Sequence, residues 1–209
     1  MLNKNLSLES SFLSTLNPTK YTKNQVEAMG VISMHNENIC NYTKPVPVYL
    51  FIDPYVPGFL SYMNQSFTLQ QKYGSSTKFN YYFIFSQYSQ AFYPQFGASY
   101  TQALGRYLVC ASGQSRFKQF ISNLGTVYNG EPISPSLLNS VVAGSGLNVT
   151  QFASCMQSVN STLFNQAALS SIYNVTYAPS YILNCKYQTI PETITPAIDY
   201  TLNQINNSK

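Results

Sequence analysis

Charged residues are scarce in this chain of 209 residues. They make up 9% of the sequence, against about 25% in an average soluble protein. The formal net charge of +4 comes from scattered Lys and Arg, and neither a basic stripe nor an RNA-type aromatic motif is present, so we expect no nucleic-acid partner. Tyr, Asn, Ser, Thr and Gln take the place of the charges. A surface solvated in this way depends little on pH, which suits an exported protein.

Metal-binding sequence patterns and long apolar runs are also missing. The chain has one histidine, His35, and no two of its four cysteines have the Cys-x2-Cys spacing of a zinc site, so we expect no metal and no cofactor. No segment is long and apolar enough to span a bilayer. The amino terminus, Met1 to Leu6, has no signal-peptide core. The count of glycosylation sequons leads us to expect that a signal or membrane anchor was trimmed and Met1 was added.

Glycosylation sequons supply the argument for export. Such triplets matter only in an exported protein, and about four are expected by chance in a chain of this composition. An Asn- and Ser-rich surface that makes accidental triplets is the alternative explanation. The chain contains seven, at Asn5, Asn41, Asn64, Asn148, Asn160, Asn174 and Asn206. We predict an extracellular or cell-surface glycoprotein.

The order of predicted elements is β-α-β, then a block of helices, then β-β-α. Strands are expected near 30–34 and at 46–52, 79–85, 180–183 and 187–190. A helix is expected over 59–73, with Gly74 as its cap, and another over 197–205 after Thr195-Pro196. Apolar residues recur at helical spacing between about 90 and 172, where Ser134 and Thr150 are candidate N-caps.

The segment Asp53-Pro54-Tyr55-Val56-Pro57-Gly58-Phe59 resembles the active-site turn of the DsbA-like thioredoxin-fold family. A second segment, Val175 to Asn184, is similar to the family's V-x-x-T-P-T-F-x-x-N stretch. Helices around Leu108 to Phe117 and Phe152 to Met156 add to the likeness, which covers about residues 30–206. The resemblance implies an α/β thioredoxin fold, a central mixed sheet flanked by helices, with an inserted helical subdomain.

That resemblance divides the chain into four parts. We expect residues 1–29 to form an amino-terminal arm with a short helix, and residues 30–89 to form the first half of the thioredoxin fold. Residues 90–172 form the inserted subdomain. Residues 173–209 form the second half, with a cis-proline loop, a hairpin and the terminal helix.

Val56 and Phe59 stand where the family places the two cysteines of its Cys-x-x-Cys motif. Neither side chain can form a thiolate or exchange a disulfide. Asp53 and Glu192 are the carboxylates expected near this turn, and no histidine lies near it to complete an acid–base pair. Asp53 can equally be a turn residue or a helix-flanking cap. From these absences we expect no catalytic residues and no enzyme activity.

Pro179 is expected to follow a cis peptide bond, because the family's matching proline does so beside the active-site turn; an ordinary trans proline is the alternative. In redox-active relatives the backbone at this proline pairs with an extended substrate. The resemblance therefore suggests a peptide groove formed by Tyr55, Pro57, Ala178 and Pro179. The alternative is that the aromatic side chains near this groove only pack in the core and on the surface, and bind no peptide.

The chain has four cysteines, Cys40, Cys110, Cys155 and Cys185. We expect them to form two structural disulfides if the chain is exported, or to be small buried apolar residues if it is cytosolic. Four cysteines allow three connectivities. The positions implied by the resemblance favour Cys110–Cys155 within the inserted helices and Cys40–Cys185 beside the sheet.

Two functions fit these observations best, and a thiol enzyme that uses Cys110 or Cys185 is a third possibility. The first is a redox-inactive, exported DsbA-like protein that acts as a binding or scaffold module and docks an extended peptide at the remnant groove. The alternative is a structural subunit of an extracellular assembly such as a filament, envelope or virion component. The partner is accordingly a protein or peptide, or a second copy of the chain.

Overall fold

The computed structural model describes residues 21–34 and 45–207. Its centre is a five-stranded mixed sheet in the order β1-β5-β4-β2-β3. β2 runs parallel to β3 and antiparallel to β4, and β5 pairs antiparallel with both β4 and β1. The strands are β1 (Ile32–Ser33), β2 (Val46–Ile52), β3 (Thr77–Phe83), β4 (Ser180–Leu183) and β5 (Tyr187–Thr189). This confirms the predicted α/β thioredoxin fold.

Helices cover the sheet and fill the interval between β3 and β4. α2 follows β2 and α9 follows β5, whereas six helices, α3 to α8, lie between β3 and β4. The four domain boundaries expected from the sequence remain predictions. The helices are α1 (Lys23–Ala28), α2 (Phe59–Tyr73), α3 (Gln87–Gln90), α4 (Tyr93–Phe96), α5 (Ala98–Ser112), α6 (Phe117–Leu124), α7 (Pro135–Gly144), α8 (Val149–Ile172) and α9 (Ile194–Asn207).

β2 and α2 have the bounds expected from the sequence. Val48, Leu50 and Ile52 of β2 belong to the larger apolar cluster, whereas Phe51 belongs to a second cluster. A central strand buried on both faces reads as a continuous apolar run, which is why its limits are visible in the sequence. α2 begins after Gly58, whose φ of 81° lies in the left-handed region that favours glycine.

A disulfide fastens two inserted helices together. Cys110 of α5 and Cys155 of α8 are bonded, with their Cα atoms 5.6 Å apart, which confirms this predicted pair. Cys40 lies outside the described residues, so the Cys40–Cys185 pair stays a prediction.

Several boundaries differ from the expected ones, three of them for a clear physical reason. β3 begins at Thr77 rather than at residue 79, because its pairing with β2 starts at Val46 opposite Thr77. α8 is one continuous helix, and its N-cap is Asn148 rather than Thr150, since the Asn148 side chain accepts a hydrogen bond from the Gln151 N–H at 2.9 Å. α9 begins at Ile194, so Pro196 lies in the first turn, where it lacks no helical hydrogen bond.

Candidate functional site: the turn after β2 and the cis-proline segment

Asp53 anchors the turn that follows β2. Its side chain is fully buried, and both carboxylate oxygens accept hydrogen bonds. Oδ1 accepts from the Tyr55 N–H at 2.9 Å and from the Ser89 hydroxyl. Oδ2 accepts from the Ser86 N–H at 3.0 Å, the Ser86 hydroxyl at 2.5 Å and the Ser89 N–H at 2.9 Å. Asp53 is thus more than a local turn residue, since it ties the turn to the loop after β3.

Ser86 and Ser89 were not identified from the sequence, although a signal for them exists. Parallel strands bring their carboxyl ends to the same edge of a sheet. Ile52 and Phe83, the last residues of β2 and β3, lie opposite each other. Asp53 and Ser86 follow these two ends within three residues, so their contact could have been expected.

Val56 and Phe59 occupy the interior of the strand-to-helix junction. Val56 is 5% exposed and Phe59 1% exposed. The Val56 N–H donates to the Asp53 carbonyl at 3.1 Å, and the Phe59 N–H donates to the Val56 carbonyl at 3.0 Å. Phe59 is also the first residue of α2. The junction therefore presents packed carbon at both positions, and no sulfur.

Tyr128, from the loop between α6 and α7, packs against Tyr55 and Phe59 of this junction. The Tyr55 hydroxyl donates to the Thr101 carbonyl at 2.7 Å, and the Tyr128 hydroxyl donates to the Pro54 carbonyl at 2.5 Å. The Tyr128 ring lies 6.4 Å from the Tyr55 ring and 6.0 Å from the Phe59 ring, between centroids. Burial, and then the nearby negative charge of Asp53, raise the pKa of Tyr128.

Tyr55 does not line an accessible groove, contrary to the expectation from the sequence. It is 5% exposed, and burial is the main cause that raises its pKa. Its hydroxyl finds an acceptor inside the protein, which allows the whole ring to be buried. Pro57 of the expected groove is exposed, Ala178 is half-buried and Pro179 is buried.

The Ala178–Pro179 peptide bond is cis, which confirms the expectation. Phe51 pairs with Ser180 across the sheet, so continuing the register by one residue places Pro179 opposite Ile52. The cis-proline segment thus lies beside the turn that carries Val56, where β2 ends and β4 begins; this end of the two strands is the cis-proline edge. The backbone N–H of Ala178 forms no hydrogen bond with another described residue. It is therefore available to a partner that reaches this edge.

A cleft of about 370 Å³ opens beside the cis-proline segment. Its walls are the loop after β3, the carboxyl-terminal part of α8 and the segment before Pro179. Ser86 lies in one wall, so the hydrogen bonds of Asp53 position this wall. The lining residues carry no charged side chain: Ile84, Phe85, Ser86, Gln87, Tyr88, Ala167, Ser170, Val175, Thr176, Tyr177 and Ala178.

Glu192 does not join Asp53. It is exposed after β5, and the five hydrogen bonds of Asp53 do not involve it. Among residues 21–34 and 45–207, no group of three or more His, Cys, Asp or Glu side chains could hold a metal ion. His35 lies outside the described residues.

The described surface carries five of the seven sequons. Their asparagines, Asn64, Asn148, Asn160, Asn174 and Asn206, are all exposed, whereas Asn5 and Asn41 lie outside the described residues. Within the part of the chain that the structure describes, every helix is too short or too polar to cross a membrane.

The solved structures that this chain resembles include oxidoreductases of the DsbA type. DsbA from Pseudomonas aeruginosa has a TM-score of 0.62 and 12% identity over 85% of this chain and 93% of its own. The oxidoreductase NmDsbA1 from N. meningitidis has a TM-score of 0.61 and 11% identity over 90% and 98%. BdbD from Bacillus subtilis has a TM-score of 0.56 and 16% identity over 82% and 91%. The chain therefore has the DsbA-like thioredoxin fold.

No protein-family model matches the sequence, and no curated protein matches it. The structural likeness nevertheless corrects one expectation. The absence of a thiol at residues 56 and 59 led us to expect no enzyme, and this is contradicted because the structures that share the fold are oxidoreductases. The expectation rested on the side chains of Val56 and Phe59 and on the lack of a histidine nearby in the sequence. Neither feature describes the scaffold as a whole.

Proposed function

We propose that this chain is an exported DsbA-like protein that holds an extended peptide segment at the cis-proline edge, without thiol exchange at Val56 and Phe59. The observation that carries the proposal is the unused backbone N–H of Ala178 at the mouth of a cleft. An extended peptide can pair with the backbone at Ala178 through main-chain hydrogen bonds, while the cleft receives alternate side chains of the peptide.

The walls of the cleft indicate the chemistry of the partner segment. Hydroxyl, amide and aromatic groups line it, and no charge does. A charged side chain buried there would lose its hydration without an opposite charge in return. The partner segment is therefore uncharged, with polar or aromatic side chains. Tyr177, which is 39% exposed, offers a ring for it to pack on.

Export is supported by two features of the described surface. All five described sequon asparagines are exposed, and the Cys110–Cys155 disulfide is of a kind that persists in oxidising compartments. Treatment of the protein from its native source with peptide-N-glycosidase tests the glycan part of the proposal. A fall in mass supports it, and an unchanged mass contradicts it.

A peptide selection tests the binding role. A displayed library of unstructured 12-residue peptides is panned on the folded protein, and the enriched peptides are titrated with blocked termini. Ala167 is exposed on α8 and lines the cleft, whereas its exposed neighbour Ala168 does not. Ala167→Arg places a long cation in the cleft and should weaken binding at least about tenfold. Ala168→Arg is the matched control and should bind as the wild type does.

Equal binding by the two variants would contradict the proposed location. A library from which no peptide is enriched over an unrelated DsbA-fold control would contradict the binding role itself. If light scattering then shows the chain assembling with itself, the structural-subunit alternative takes its place.

A further inference from the structure

A second cleft, of about 510 Å³, lies on the inserted helices. It shares no lining residue with the cleft beside the cis-proline segment. The amino-terminal half of α5 forms one wall, and Phe96, Pro135 and Met156 contribute from α4, α7 and α8. Clefts of 300–1,000 Å³ are the usual size for small-molecule sites.

Arg106 of α5 lines this cleft and has no partner among residues 21–34 and 45–207. Its Nε atom is buried and has no hydrogen bond. The guanidinium also forms no hydrogen bond or ion pair with any residue in the described ranges. Most buried polar groups in proteins are hydrogen-bonded, and an exception calls for an explanation. An anion that enters the cleft would give this cation a partner.

The first turn of α5 adds to the positive potential. Gly97, the N-cap, has φ of 75° and offers no side-chain cap, and the first turn has no acidic residue. The first backbone bond of the helix runs from the Thr101 N–H to the Gly97 carbonyl. The N–H groups of residues 98–100 therefore have no helical acceptor, and they favour negative charge near them.

An aromatic pair supplies a flat apolar wall. The rings of Phe96 and Tyr100 are stacked, with centroids 5.5 Å apart and planes 13° apart. Phe96 is 40% exposed, so its ring is accessible to a ligand. A planar ring of a ligand can extend this stack.

The Cys110–Cys155 disulfide joins the helices that carry Arg106 and Met156. Cys110 is one helical turn after Arg106, and Cys155 precedes Met156. The bond holds α5 against α8, which carry two of the walls. The cleft is thus formed before any ligand arrives, as is usual for small-molecule sites.

We propose that this cleft binds a small monocarboxylate that carries one aromatic ring. The carboxylate pairs with the Arg106 guanidinium, which can donate two parallel hydrogen bonds, and the ring packs on the Phe96–Tyr100 stack. This site is separate from the peptide site and does not depend on it.

Calorimetric titration of the folded full chain with 3-phenylpropionate and with its neutral amide, 3-phenylpropanamide, tests the proposal without any mutation. The two probes share the ring and the chain and differ in the charge alone. We expect the acid to bind at least about tenfold more tightly than the amide, with an affinity that falls as salt is added.

Two substitutions assign the charge effect to Arg106. In Arg106→Gln, the acid should bind no better than the amide. Arg116→Gln, which removes an exposed arginine outside the cleft, should keep the wild-type preference. Phe96→Ala should weaken both probes and leave their ratio unchanged. Thermal unfolding of each variant shows that it is folded.

Equal affinities of the acid and the amide for the wild type would overturn the proposal. So would the absence of saturable acid binding up to about 10 mM, which is weaker than a specific site provides. A preference that survives in Arg106→Gln but is lost in Arg116→Gln would place the site elsewhere and also overturn it.

Discussion

Asp53 and Ser86 are joined by two hydrogen bonds across 33 positions of the chain, from the Ser86 N–H at 3.0 Å and the Ser86 hydroxyl at 2.5 Å to Asp53 Oδ2. One residue belongs to the turn after β2, and the other belongs to the wall of the cis-proline cleft. These hydrogen bonds therefore connect the turn after β2 directly to the wall of the cleft. A change at Asp53 should affect both stability and the shape of the binding edge.

Asp53→Asn should lower the free energy of unfolding by about 2–4 kcal/mol. The amide keeps the size of the side chain, but its nitrogen cannot accept from Ser86 and Ser89, so buried donors lose their acceptor. Urea unfolding followed by circular dichroism measures the change. Glu131→Gln, at an exposed carboxylate, is the matched control and should change stability little. A loss of similar size in both variants would contradict the anchoring role of Asp53.

Asp199 makes stability depend on pH in a specific direction. It is 8% exposed, and its Oδ2 is buried without a hydrogen bond in the described structure. Burial raises its pKa above the ordinary 3.8, although the hydrogen bond from Tyr73 and the charge of Lys72 lower it. The folded state therefore holds the proton more tightly than the unfolded state. The contribution of Asp199 to stability is greatest below pH 3.8 and falls as pH rises towards the raised value.

Asp199→Asn should therefore raise the melting temperature at pH 7 and have little effect near pH 3. The amide oxygen can still accept from the Tyr73 hydroxyl, which lies 2.9 Å from Oδ1. Calorimetry at the two pH values gives the comparison, with Glu192→Gln at an exposed carboxylate as the control. A lower melting temperature at pH 7 would mean that the charge is stabilised in the folded protein, contrary to this account.

The Cys110–Cys155 bond should contribute substantially to stability. It closes a loop with a sequence separation of 45, for which loop-closure entropy gives about 4 kcal/mol. The double variant Cys110→Ala/Cys155→Ala should lose stability of that order in chemical unfolding. A double variant as stable as the wild type would show that packing alone holds α5 against α8.

Local signals made part of the fold predictable. β2 and α2 have clear limits because an apolar run ends at Asp53-Pro54 and an apolar helical pattern ends at Gly74. The full length of α8 was not visible in the sequence, because the polar stretch around Asn160 interrupts its apolar pattern. Its continuity depends on tertiary packing, with Val159 and Leu163 both buried in the larger cluster, and a pattern of short range cannot show this.

The site was less predictable because its contacts join distant segments. The cis peptide bond before Pro179 followed from a family resemblance and not from local chemistry. The contact of Asp53 with Ser86 required the strand register, and Tyr128 reaches Pro54 from 74 positions away. Arg106 looks in the sequence like any arginine on a helix. Only the folded structure shows that the Arg106 guanidinium has no hydrogen-bond partner among the described residues.

The most direct test of the binding role is an N-methyl scan of a peptide selected by the folded protein. Each amide of the peptide is methylated in turn, and the affinity of each product is measured. Pairing with the cis-proline edge predicts that methylation of alternate amides abolishes binding, while the amides between them tolerate it, because successive N–H groups of a strand point in opposite directions. Uniform tolerance, or losses that recur every three to four residues as in a bound helix, would contradict the account.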